Sequence, residues 1–123
     1  MSTVKLTLAF VDPELDPEER EEQAQRFRAE LKQMEDEVES VAPVADPNPP
    51  EGNKSLAGFL PGWLLAEVSL ENAVKVLSFM GDRLGGKPIE MELEGNGKKL
   101  KISAGTVEDL QAAIAEAKTF LGA

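Results

Sequence analysis

The sequence predicts an α+β fold: a single sheet of about four strands, element order β-α-β-α-β-β-α, with the helices packed on one face. Three observations carry this. Apolar residues alternate with polar ones near the N-terminus and again over 88–103, the period of a strand with one buried face. Three other segments carry apolar residues at spacings of three and four, the period of an amphipathic helix. Proline, glycine and capping residues fall between these segments, and no internal repeat or heptad array is visible. The 123 residues suit one domain over 1–123.

Over residues 3–11, Val4, Leu6, Leu8 and Phe10 share one face, opposite Lys5, Thr7 and Ala9. Asp12-Pro13 ends that strand. Asp16 is a good N-cap, Pro17 suits the first helical position, and Glu19 completes a capping-box pattern, so a helix is expected over about 17–35. Its stripe is Ala24, Phe27, Leu31 and Met34. Residues 36–42 form a weaker second strand around Val38 and Val41, whose neighbours Asp36, Glu37 and Glu39 suit an edge or a solvated face. The stretch 42–54 holds four prolines and a glycine and is expected to be a mobile Pro-rich loop, the first site of limited proteolysis.

Residues 55–68 are the most apolar part of the chain, and Pro61-Gly62 argues against one continuous helix there, leaving a loop with a short helix. Ser69 caps a helix over about 70–84 with the stripe Leu70, Ala73, Val74, Leu77, Met80 and Leu84, ended by Gly85-Gly86. Asn96-Gly97 is a two-residue hairpin turn. With that tip, Glu94 faces Lys99 and Glu92 faces Lys101, while Leu93 meets Leu100 and Met91 meets Ile102 on the other face. Charge and apolarity agree on this register, and a one-residue slip would turn every apolar side chain of one strand to water. Thr106 caps a last helix over about 107–121 with the stripe Leu110, Ala113, Ile114, Ala117 and Leu121.

Composition excludes much chemistry. Histidine, cysteine and tyrosine are absent, which removes disulfides, Cys/His metal sites, Ser-His-Asp and Cys-His catalysis. The net charge is −10, and residues 1–55 contribute most of it with 14 acids against 6 bases. That sign repels phosphate backbones, so no nucleic acid partner is expected. No apolar run approaches the ~20 residues of a spanning helix, and the N-terminus lacks a basic n-region, so a cytoplasmic protein is expected.

The remaining candidate groups read as structure. Glu90, Glu92 and Glu94 share a strand face and resemble a metal or acid–base cluster, but Lys99 and Lys101 neutralise that face. Gly81, Gly85, Gly86 and Lys87 are spaced loosely like a phosphate loop, yet they follow a helix instead of opening one. The serines have no histidine base. No catalytic residue, cofactor or metal ligand is therefore expected, and the chain is read as not an enzyme.

The stretch around Trp63 is the informative oddity. Leu56, Phe59, Leu60, Trp63, Leu64, Leu65 and Val68 are many large apolar groups for a surface loop. Three readings stand side by side: they cover the open end of a small core, they dock a partner, or they form a latent membrane segment opposed by Glu67, Glu71 and Lys75. Because three amphipathic helices already cover one sheet face, Phe59, Leu60, Trp63 and Leu64 are the candidate partner-binding residues.

Five segments carry a resemblance to a known family: the opening VKLTLAFVDPELDPEE, the helix with RFRAELKQME, the short DEVESV strand, the helix ENAVKVLSFMGDRLGG, and the tail KPIEMELEGNGKKLKISAGTVEDLQAAIAEA. Through them nearly the whole chain resembles the effector-associated constant component family of bacterial conflict systems. It implies a non-catalytic accessory component, an adaptor, regulator or substrate, in antiviral defence. The implied partner is a co-encoded protease-like effector or NTPase component, with a homo-oligomer as another occupant of the patch. The alternative is a latent membrane-active effector released by proteolysis in the 42–54 loop. The family brings no active-site residues to transfer.

Overall fold

Alternation in the first strand sets the orientation of the whole sheet. In β1 (Thr3–Phe10) the even-numbered Val4, Leu6, Leu8 and Phe10 are buried, while Lys5 is exposed. The computed structural model describes residues 3–34, 40–45, 59–95 and 97–122 of the chain. Their order is β1, α1 (Pro17–Lys32), β2 (Ser40–Ala45), β3 (Phe59–Ser69), α2 (Leu70–Arg83), β4 (Ile89–Gly95), β5 (Lys98–Ala104) and α3 (Val107–Phe120).

The class is α+β with one sheet, but the sheet has five strands, in the order β2-β3-β1-β4-β5, where about four were expected. Every neighbouring pair is antiparallel. The additional strand is β3, in the apolar stretch expected to be loop and short helix. It lies between β1 and β2, which therefore do not pair. Pro61-Gly62 does not stop the strand because of where it sits. The β1 ladder ends at Ala9 opposite Trp63, and the β2 register jumps from Pro43 opposite Leu64 to Ala45 opposite Phe59. Residues 60–63 thus bulge out opposite Val44 alone, and the missing Pro61 amide interrupts neither ladder. Gly62 takes a left-handed φ of +82°, and its amide donates to the Glu21 carboxylate at 2.9 Å.

The second strand is also displaced. It was expected at 36–42 and is found at Ser40–Ala45, taking Pro43 from the proline-rich stretch. Its edge position in the sheet, which the acidic neighbours suggested, tolerates proline. Residues 46–54 of the expected loop, like Val38, lie outside the described residues.

The helices begin where their caps place them. Asp16 accepts from the Glu19 amide at 2.8 Å while the Asp16 amide donates to Glu19 Oε1 at 3.1 Å, a reciprocal capping box. Ser69 accepts from the Asn72 amide, and Thr106 from the Asp109 amide. α1 ends at Lys32, a little before the expected residue 35. The α2 stripe includes Val76 where Val74 was expected, and Val74 is only half-buried. The buried faces of all three helices join the even-numbered residues of β1 in one core, with Phe27 edge-on to Phe10 and stacked on Phe79. Gly81 lets α2 approach α3: a Cβ there would lie 2.9 Å from Ile114 Cδ1.

The hairpin register matches the expected one throughout: Glu94 opposite Lys99, Leu93 opposite Leu100, Glu92 opposite Lys101 and Met91 opposite Ile102. Gly97 in the turn has a φ of +75°, and Asn96 lies outside the described residues.

Candidate functional site

With the helices gathered on the even side of β1, the other face of the sheet carries no described helix. Antiparallel partners share a face, so the register assembles this face row by row. One row runs Trp63, Ala9, Glu90, Ser103 from β3 to β5. The next runs Ala42, Leu65, Thr7, Glu92, Lys101, starting from β2. A third runs Ser40, Glu67, Lys5, Glu94, Lys99.

The rows differ in chemistry. The third alternates charge across four strands, Glu67 and Glu94 flanking Lys5 and Lys99 closing the row. The first two are apolar on the β3 side, where Trp63 and Leu65 are both half-buried. Ala9 is 1% exposed although it lies on the helix-free face. Its small side chain sits between its taller neighbours Trp63 and Glu90, and forms part of the floor of an open depression of about 370 Å³. Trp63 and Ala9 line one side of it, with Glu90, Glu92, Lys101 and Ser103 on the other.

The acidic column on β4 is matched by lysines on β5. Lys99 Nζ lies 3.9 Å from Glu92 Oε1, a long diagonal contact between an exposed lysine and a half-buried glutamate that contributes little energy. Among the described residues, no group of three or more carboxylates is placed to hold a metal ion. What the surface offers is a broad, amphiphilic, nearly neutral area suited to contact with another macromolecule.

The candidate residues from the sequence are not all on this face. Leu64 is 1% exposed, because neighbouring residues of a strand point to opposite faces and Trp63 takes the outer one. Leu64 is therefore core, not part of a docking patch. Leu60 is half-buried in the bulge, and the Phe59 side chain lies outside the described residues. The sequence pattern put Thr7 and Ala9 on the face of the first strand opposite its apolar residues and counted Leu65 in the apolar stretch, but it joined neither these nor Ala42 to Trp63. Reading 63–69 as a strand would have grouped Leu65 with Trp63 through the two-residue period.

Fold and surface together define an α+β protein with one antiparallel sheet, three helices on one side and an amphiphilic face on the other. Comparison of the chain with family models, with curated proteins and with solved structures finds no match.

Proposed function

We propose that this protein is a non-catalytic interaction component that docks a partner protein on the helix-free face of its sheet through Trp63. The observation that carries the reading is the pairing of half-buried Trp63 and Leu65 with the small residues Ala9, Thr7 and Ala42 on a face with no described helix. Large apolar contact area beside a rim of charged groups is the usual composition of a docking surface. The lack of histidine and cysteine in the sequence supports binding over catalysis. The resemblance to the effector-associated constant component family supplies the expected partner, a protease-like effector or NTPase component encoded beside it in a bacterial defence system.

The experiment is co-purification of the chain with each neighbouring gene product, wild type against Trp63→Ala. Loss of an interface aromatic of this kind costs more than ~1 kcal/mol, about a fivefold fall in affinity or more. The expected result is weakened capture with an unchanged urea midpoint. Undiminished binding by Trp63→Ala removes the docking face from the proposal, and failure of the variant to fold assigns Trp63 to the core instead.

A further inference from the structure

The two edges of the sheet are treated differently, and the difference points to a second contact surface. In an antiparallel ladder each residue directs its amide and carbonyl to one side, and successive residues alternate. The Val11 amide donates to the Pro88 carbonyl at 3.0 Å, so Pro88 faces β1, and by alternation so do Glu90, Glu92 and Glu94. Met91, Leu93 and Gly95 then face β5 and bond to Ile102, Leu100 and Lys98. The two-residue connection between Gly95 and Lys98 requires the same phase. The backbone groups of Lys99, Lys101 and Ser103 therefore point away from the sheet.

Carried the other way, the same alternation turns Leu6 and Leu8 to β3, Leu65 and Glu67 to β2, and Val41 and Pro43 outward. That outer edge is partly blocked. Arg28 Nε donates to the Val41 carbonyl at 3.3 Å, and Pro43 has no amide hydrogen to offer. On β5, no strand pairs with the outer side among the described residues.

We infer that the outer edge of β5 accepts an extended segment of a partner protein, in which acidic residues alternate with apolar ones, as an added strand of the sheet. The side chains along the edge set that pattern. Lys99 and Lys101 stand exposed on the helix-free face and attract carboxylates there. On the helix side Ile102 is half-buried, and with Ala112 and Ala113 of α3 it borders a second depression of about 350 Å³. Asp109 and Glu116 line that depression on the α3 side and Lys101 and Ser103 at the strand edge, so an acidic side chain reaching toward α3 meets two carboxylates while an apolar one rests on Ala112 and Ala113. β4 already satisfies the pattern from within, with Glu94 and Glu92 opposite the lysines and Leu93 and Met91 on the other face. A second copy is a poor occupant, because antiparallel pairing of β5 with itself brings lysine columns together. Strand addition of this kind draws affinity from main-chain bonds and selectivity from alternate side chains.

The test is amide hydrogen exchange by NMR on the whole chain, with a synthetic copy of residues 88–94 as the probe and an all-glutamate peptide of equal length as the control. In the chain alone, the Lys99, Lys101 and Ser103 amides exchange freely while those of Leu100 and Ile102 are protected. Saturating probe slows the first three by about tenfold or more, as new main-chain hydrogen bonds form. Lys101→Pro removes an outward amide without touching the hairpin ladder and abolishes that protection. Lys99→Glu with Lys101→Glu reverses the preference toward a lysine-bearing probe, and stands in if the proline variant does not fold. Trp63→Ala leaves probe binding unchanged, which separates this surface from the docking face. Protection of the three amides in the chain alone overturns the inference. So does equal binding of the all-glutamate peptide, or protection that grows with protein concentration through self-pairing.

Discussion

Gly62→Ala tests whether the bulge in β3 is held as tightly against the first helix as its geometry implies. Two costs combine. A φ of +82° is left-handed, a conformation that costs an L-residue ~1–2 kcal/mol. In addition, a Cβ at this position would lie 3.1 Å from the Phe10 carbonyl oxygen and 3.1 Å from Arg20 Cβ, with the Arg20 carbonyl at 3.4 Å. Two of those three atoms are backbone, so relief requires α1 or β1 to shift, an overpacking cost of ~1–3 kcal/mol. The expected loss is about 2–5 kcal/mol, a large share of the ~5–15 kcal/mol typical of a domain. Gly86→Ala is the internal control. Gly86 has nearly the same φ, +83°, with nothing within 4 Å of its added Cβ, so it bears the backbone cost alone. The assay is urea unfolding followed by fluorescence of Trp63, the last residue of the bulge and the chain's single tryptophan. Gly62→Ala should lie ~1–3 kcal/mol below Gly86→Ala, the contact cost alone. Equal losses would refute the close approach of α1 to the bulge.

Leu64→Ala should destabilise the chain by ~2–5 kcal/mol in the same unfolding assay, since it empties a core position that is 1% exposed. A loss under ~1 kcal/mol would mean that Leu64 faces solvent after all. Asp16→Ala should cost ~1 kcal/mol by leaving the Glu19 amide without its cap, read as a lower urea midpoint with an unchanged slope.

How much of this was legible in the sequence depends on how local the determining physics is. The hairpin register was readable because Glu92, Glu94, Lys99 and Lys101 and the four apolar residues opposite one another favour one pairing, and the short turn fixes its phase. The helix starts were readable because Asp16, Ser69 and Thr106 each act within three residues. β3 was not readable in the same way. It is a central strand with apolar residues on both faces, so alternation is muted: Leu64, Ala66 and Val68 face the core, while Trp63 and Leu65 face outward. Pro61 and Gly62 looked like a break because their tolerance depends on a bulge that only the pairing with β2 reveals. The candidate site inherited this error. Trp63 stood out by residue type, but assigning its face required knowing that it lies in a strand, and Leu64 was grouped with it as a sequence neighbour. The partly blocked edge at β2 is the least local feature, since Arg28 reaches Val41 from a different element.

The position of β3 also bears on the alternative in which proteolysis between 46 and 54 releases a membrane-active segment. A cut there separates β1, α1 and β2 from β3 and all that follows, yet β3 lies between β1 and β2 and pairs with both. For the apolar segment to leave, both ladders must open and Leu64, Ala66 and Val68 must exchange the core for water. The leucine and valine alone cost ~1.5–3 kcal/mol each. The second fragment would also expose the β4 face that packs on Leu6, Leu8 and Phe10. Among the described residues no helix is long and apolar enough to cross a membrane, so insertion would need β3 and α2 to refold together. The expected outcome of cleavage by a broad-specificity protease is a nicked protein whose two fragments co-elute in size exclusion and unfold together in urea, with no dye released from liposomes. Separation of the fragments without denaturant would show that the sheet does not hold them. Dye release after cleavage, and not before it, would favour the membrane-active effector over the docking component.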